Sequence, residues 1–144
     1  MTEENPSRPV LGVGAVIVHE GRVALIKRAN EPFRGVWSIP GGRVEWGEDS
    51  REAAVREARE ETGLTVEASE LLEVFESVVS DQTNKVVYHH VVLDYFCLVK
   101  AGELRAGEDA SEARWAKLEE LAGLKVSEGA TRIIRKAFAL AAKK

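Results

Sequence analysis

Residues 42–64 read GRVEWGEDSREAAVREAREETGL, and the rest of the chain must be built around this stretch. From position 49 the composition turns helical, with Ala53, Ala54 and Ala58 among charged residues and no Gly or Pro before Gly63. A helix over 49–61 that ends at a glycine C-cap is predicted. On such a helix Glu57, Glu60 and Glu61 stand at i, i+3 and i+4, so three carboxylates leave one face within a single turn. Like charges so placed repel one another unless a cation sits among them, and hard oxygen ligands at this spacing suit Mg²⁺ or Mn²⁺. The helix pattern alone also allows a solvated face balanced by Arg56 and Arg59.

Charge is distributed unevenly around this helix. Residues 22–43 carry five basic side chains (Arg22, Lys27, Arg28, Arg34, Arg43) against one acid, Glu31; residues 45–61 carry seven acids against three arginines. A basic segment therefore runs directly into an acidic helix. Between them Gly41 and Gly42 lack side chains, which lets main chain approach a ligand closely.

Outward from the centre, residues 10–19 and 22–28 are β-branched or apolar runs joined at Glu20-Gly21, a hairpin signal. Residues 30–42 hold Pro32, Gly35, Pro40, Gly41 and Gly42 and are expected to be mostly loop. Residues 71–79 and 86–99 return to strand composition around a polar turn at 81–84, as long antiparallel partners. A polar loop over 102–112, a short strand at 113–118 and a helical turn near 117–121 lead to an amphipathic helix over 127–142. Residues 1–9, with Pro6 and Pro9 in polar company, read as a flexible arm before a domain over 10–144.

At 144 residues, 44% of them hydrophobic, the chain is long enough for one buried core. Its net charge of −4 argues against a duplex nucleic-acid binder, which needs basic excess to neutralise phosphates. Cys97 is the only cysteine, so no intramolecular disulfide forms and a reducing cytoplasm is expected. No apolar run approaches the ~20 residues of a membrane span, and the N-terminus lacks signal-peptide character.

Gly42, Glu48 and the run Arg56-Glu57-Ala58-Arg59-Glu60-Glu61-Thr62-Gly63-Leu64 match the Nudix box, GX5EX7REUXEEXGU with U apolar, at every defined position. A chance match in a chain this long has a probability on the order of one in ten million, from average residue frequencies. The sequence thus resembles the Nudix hydrolases, and Lys27-Arg28, residues 37–42 and the Trp115 region extend the resemblance over most of the chain. It implies an α/β fold, an α/β/α sandwich with a mixed sheet, and metal-dependent hydrolysis of a nucleoside diphosphate linked to another moiety. It further implies that Glu57, Glu60 and Glu61 hold Mg²⁺ or Mn²⁺ with the Gly42 carbonyl, and that Arg56 orients the glutamates. One of Glu57, Glu60 and Glu112 would serve as general base. Arg28, Arg34, Gly41 and Trp37 are the candidate substrate contacts, Arg28 and Arg34 for phosphate and Trp37 for a base.

The long strand and the Lys-Arg pair resemble the ADP-ribose pyrophosphatases of this family more than its dinucleotide-polyphosphate group. Those enzymes often carry a proline beyond the box, where this chain has Ser80-Asp81 and no proline after Pro40. The alternatives are a MutT-like nucleoside triphosphate pyrophosphohydrolase and a non-catalytic nucleotide-binding module. No membrane partner is expected, and a homodimer is expected from the exposed edges of a small mixed sheet.

Overall fold

The computed structural model describes residues 8–31 and 33–143. The predicted hairpin forms from β1 (Val10–His19) and β2 (Arg22–Arg28), turning at Glu20 and Gly21, both at positive φ. The expected flexible arm falls mostly on residues 1–7, outside the described residues. The glycine- and proline-rich stretch is not wholly loop: β3 (Trp37–Ser38) pairs with β2, and β4 (Gly41–Arg43) pairs antiparallel with β1. Both form through backbone bonds, for which no side-chain pattern is needed.

Helix α1 (Ser50–Thr62) follows, then the long antiparallel pair β5 (Thr65–Ser80) and β6 (Val86–Ala101). The first of these strands begins six residues before its expected start at Leu71, because Thr65 to Ala68 continue the ladder through bulges that alternation does not reveal. Strand β7 (Ala110–Ala116) lies a few residues earlier than expected and pairs with β2. A 3₁₀ helix (Leu118–Gly123) and α2 (Glu128–Ala142), N-capped by Ser127, complete the chain.

The strands form one mixed sheet in the order β3-β2-β1-β6-β5, with β4 added to β1 and β7 to β2; β1 and β6 run parallel and the other pairs antiparallel. Alternation along β1 divides the core. Val13, Ala15 and Ile17 face α1 together with Ala53, Ala54, Ala58, Leu64 and Tyr95, whereas Val16 and Val18 face α2 with Phe96, Ile133, Ile134 and Ala137. The result is a sheet with one helix on each face, the α/β/α arrangement that the resemblance implied. Among the described residues no helix is long and apolar enough to cross a membrane.

Candidate active site

Helix α1 is held firmly at both ends. Asp49 accepts a bond from the Arg51 N–H at 2.7 Å while Glu52 accepts from the Asp49 N–H at 3.2 Å, a capping box. At the other end Gly63 takes φ 76°, a left-handed cap that a residue with a Cβ adopts only under strain. Ala53, Ala54 and Ala58 are fully buried, so the helix lies close on the sheet. That proximity sets the carboxylates of the next turn against β4.

There the two glycines matter individually. The Gly41 N–H donates to Glu61 Oε1 at 2.9 Å. A Cβ at Gly42 would stand 2.4 Å from the carboxyl carbon of Glu57, so this position admits no side chain without displacing the carboxylate.

Arg56 is the cation among the acids. Its Nε and Nη2 grip both oxygens of Glu48 at 2.8 and 3.0 Å, and Nη1 reaches Glu57 at 2.9 Å and Glu60 at 3.3 Å. Nη2 also donates to the Arg43 carbonyl at 2.9 Å, tying the helix to β4. The bond from Arg56 holds Glu48 below the usual carboxylate range and, with the other acids, keeps the guanidinium more firmly charged than usual.

The remaining carboxylates are less well satisfied. Burial pushes Glu57 upward, against the pull of Arg56. Burial also pushes Glu61 up to about 7; the Gly41 N–H opposes this, and the charges of Glu57, Asp109 and Glu60 add to it. Asp109 is brought near by the loop after β6, which docks on the end of α1 through Arg105 N–H to Thr62 O at 2.8 Å and Gly107 N–H to Glu61 O at 3.0 Å.

Glu57 and Glu60 are bound to Arg56 and Glu61 to Gly41, and among the described residues no three metal-ligating side chains are already gathered around one point. The donor set nevertheless fits a hard divalent cation in kind: carboxylate oxygens, partly desolvated and mutually repelling, beside backbone left bare by Gly42. A cation there would relieve the cost of burying Glu57 and Glu61 as anions.

The other predicted residues are dispersed. Arg28, at the end of β2, lines a cleft of about 930 Å³ with Gly42 and Arg43. Arg34 sits on an exposed loop and pairs with Glu31 at 3.8 Å. Trp37 is 6% exposed and packed in the core under α2, with Lys27 Nζ 5.7 Å from its ring centre, so it has no free face for stacking. Glu112 lies opposite Lys27 in the β2–β7 ladder and pairs with it at 3.6 Å; in this region it is the charge of Asp109 that Glu61 feels.

Two features escaped the reading of the sequence. Asp94, in the middle of an apolar strand, is 7% exposed and lines a cavity of about 230 Å³ with Ile39, Phe75 and Arg132 at the start of α2. Tyr88 stands exposed on β6 at the cleft. Neither carries a spacing signal, because each is a single residue in a strand whose apolar neighbours dominate its pattern.

The NUDIX domain family matches residues 8–137, and the chain belongs to that family. It is 42% identical over 113 residues to an ADP-ribose pyrophosphatase of Methanocaldococcus jannaschii, covering 78% of this chain and 64% of that protein. The chain thus spans less than two thirds of that relative's length. Among solved structures, a MutT NUDIX hydrolase from Burkholderia pseudomallei superposes with a TM-score of 0.73 at 30% identity, over 90% of this chain and 98% of the other. The NUDIX domain of Shewanella oneidensis NrtR, solved with ADP ribose, has the same fold, with a TM-score of 0.74 at 21% identity over 94% and 90% of the two chains.

Proposed function

We propose that this chain hydrolyses the pyrophosphate bond of a nucleoside diphosphate linked to another moiety, with ADP-ribose as the favoured substrate, giving AMP and ribose 5-phosphate. The observation that carries this reading is the meeting of Glu57 and Glu61 with the bare backbone of Gly41 and Gly42 under the control of Arg56. The ADP-ribose preference is supported by the 42% identical relative.

In this reading Glu57, Glu60, Glu61 and the Gly42 carbonyl hold Mg²⁺, for which Mn²⁺ substitutes. Bound there, the ion supplies charge neutralisation of the phosphate oxygens and acidification of a water. Glu60, with the most exposed side chain of the three at 59%, takes the proton from the attacking water. The water oxygen bonds to phosphorus as the bridging P–O bond breaks, and the leaving phosphate carries away the electron pair. Arg56 keeps Glu57 and Glu60 oriented throughout, and Arg28 binds phosphate at the cleft.

A MutT-like activity on nucleoside triphosphates is the second reading, supported by the Burkholderia structure at 30% identity. Product analysis separates the two, since the triphosphate route yields a monophosphate and pyrophosphate. The protein is further proposed to work in the cytoplasm as a homodimer. Support for the dimer comes from β5, which ends the sheet and exposes Leu71, Val74 and Val78. Sedimentation of wild type against Val78→Lys tests this: a dimer that the substitution converts to monomer is the expected result.

A further inference from the structure

The cleft beside Gly42 is lined by both cationic and aromatic side chains. Its wall carries Arg28 and Arg43 beside Gly42, together with Tyr88, His90 and Val92 from β6 and Arg8 just ahead of β1. At about 930 Å³ it is large enough for a dinucleotide-sized molecule. A ligand matching this lining has an anionic part for the arginines and a planar part for the aromatic side chain.

Tyr88 is placed to take the planar part. Strand β1 starts at Val10, opposite His90, so Tyr88 lies two residues beyond the last pair of that parallel ladder, in the same cleft as Arg8. Tyr88 and His90 share one face of β6, and their rings are 5.2 Å apart at a 51° tilt. The imidazole therefore braces the phenol ring while 57% of the tyrosine remains exposed. Two other aromatics, Trp46 beside the positive-φ turn at Gly47 and Phe33 on the loop after Arg28, are also exposed, but among the described residues neither has a ring partner that would brace it as His90 braces Tyr88.

We propose that Tyr88, braced by His90, is the platform on which the base of the nucleotide substrate stacks, so that β6 rather than α1 sets base affinity. This rests on the reading of the Gly42–Glu61 region as the pyrophosphate-cleaving site. Tyr88 makes the contact, and His90 is a positioning residue.

The test is calorimetric titration of AMP and of ribose 5-phosphate into wild type, Tyr88→Ala, Tyr88→Leu, Tyr88→Phe and Trp46→Ala in the presence of Mg²⁺. The expected result is AMP binding about tenfold weaker in Tyr88→Ala and Tyr88→Leu, near wild type in Tyr88→Phe and Trp46→Ala, with ribose 5-phosphate unaffected throughout. Tyr88→Leu keeps apolar bulk, so a folding defect confined to the alanine variant leaves the test intact. The proposal is overturned if AMP binding is unchanged in both variants, if ribose 5-phosphate weakens equally, if Trp46→Ala carries the loss, or if wild type does not bind AMP. Hydrolysis of ADP-ribose is scored separately. The expected titration pattern in a protein that leaves ADP-ribose intact sinks the substrate reading alone, whereas unmoved AMP affinity in a protein that cleaves it sinks the platform alone.

Discussion

Gly42 and Glu57 are in contact such that the smallest side chain on the first would displace the carboxylate of the second. The box glycine is therefore a spatial requirement of the box glutamate fifteen residues later. Helix α1 supplies the acid, β4 supplies the absence of a side chain, and the hydrogen bond between the Arg56 guanidinium and the Arg43 carbonyl keeps the two in register.

Gly42→Ala follows from this contact. No left-handed backbone is required at Gly42, so the folded chain accepts alanine there and the damage falls on Glu57. Turnover is expected to drop by roughly two orders of magnitude, as when a ligand or base is lost, with the far-UV spectrum unchanged. Near-normal turnover would show that Glu57 needs no fixed position.

Replacing the acids separates activity from stability. Glu60→Gln and Glu61→Gln should each reduce turnover at least about a hundredfold. In metal-free protein at pH 8, Glu61→Gln should also raise Tm, since burial disfavours the charged form and glutamine still accepts the Gly41 bond. A lower Tm would mean that the anion is well solvated in the folded chain.

Asp94 makes stability depend on pH. Burial first, then the charge of Glu73, pushes its carboxyl from the ordinary 3.8 up to about 6, while Arg132 pulls it down. Between those values the folded chain holds a proton that the unfolded chain releases, so the contribution is full below 3.8 and is lost as pH rises through 6. The loss is on the order of 2–3 kcal/mol. Denaturant titrations at pH 5 and pH 8 should show Asp94→Asn gaining on wild type at the higher pH; an equal difference at both would contradict the assignment.

Cys97 should be inert in the native state. It is fully buried, and burial pushes its thiol up to about 12, so almost no thiolate exists at neutral pH. A thiol reagent should label the protein only at the rate of unfolding; rapid native labelling would show that the α1-side core opens.

Much of this was legible in the sequence because α1 encodes its own limits. Asp49 and Gly63 bracket it, and the i, i+3, i+4 glutamates need only helix geometry to share a face. Strands β3 and β4 were hidden, since two or three residues rich in Gly pair by backbone alone. Trp37 reads either as a base contact or as a residue packed beside the Gly-Gly turn; it is packed, and its backbone pairs with Lys125 and Val126 on the approach to α2, a contact from far along the chain. The burial of Asp94 depends on Gly14 across the ladder, where a Cβ would stand 2.2 Å from its carboxylate oxygen. No local window contains that pairing.

The central claim is tested most directly by chromatographic product analysis after separate incubations with ADP-ribose and with nucleoside triphosphates, each with Mg²⁺ and with EDTA. AMP and ribose 5-phosphate in equal amounts, formed with Mg²⁺ and absent with EDTA, is the predicted result. Intact ADP-ribose under both conditions, with a nucleoside triphosphate cut to monophosphate and pyrophosphate instead, would contradict it.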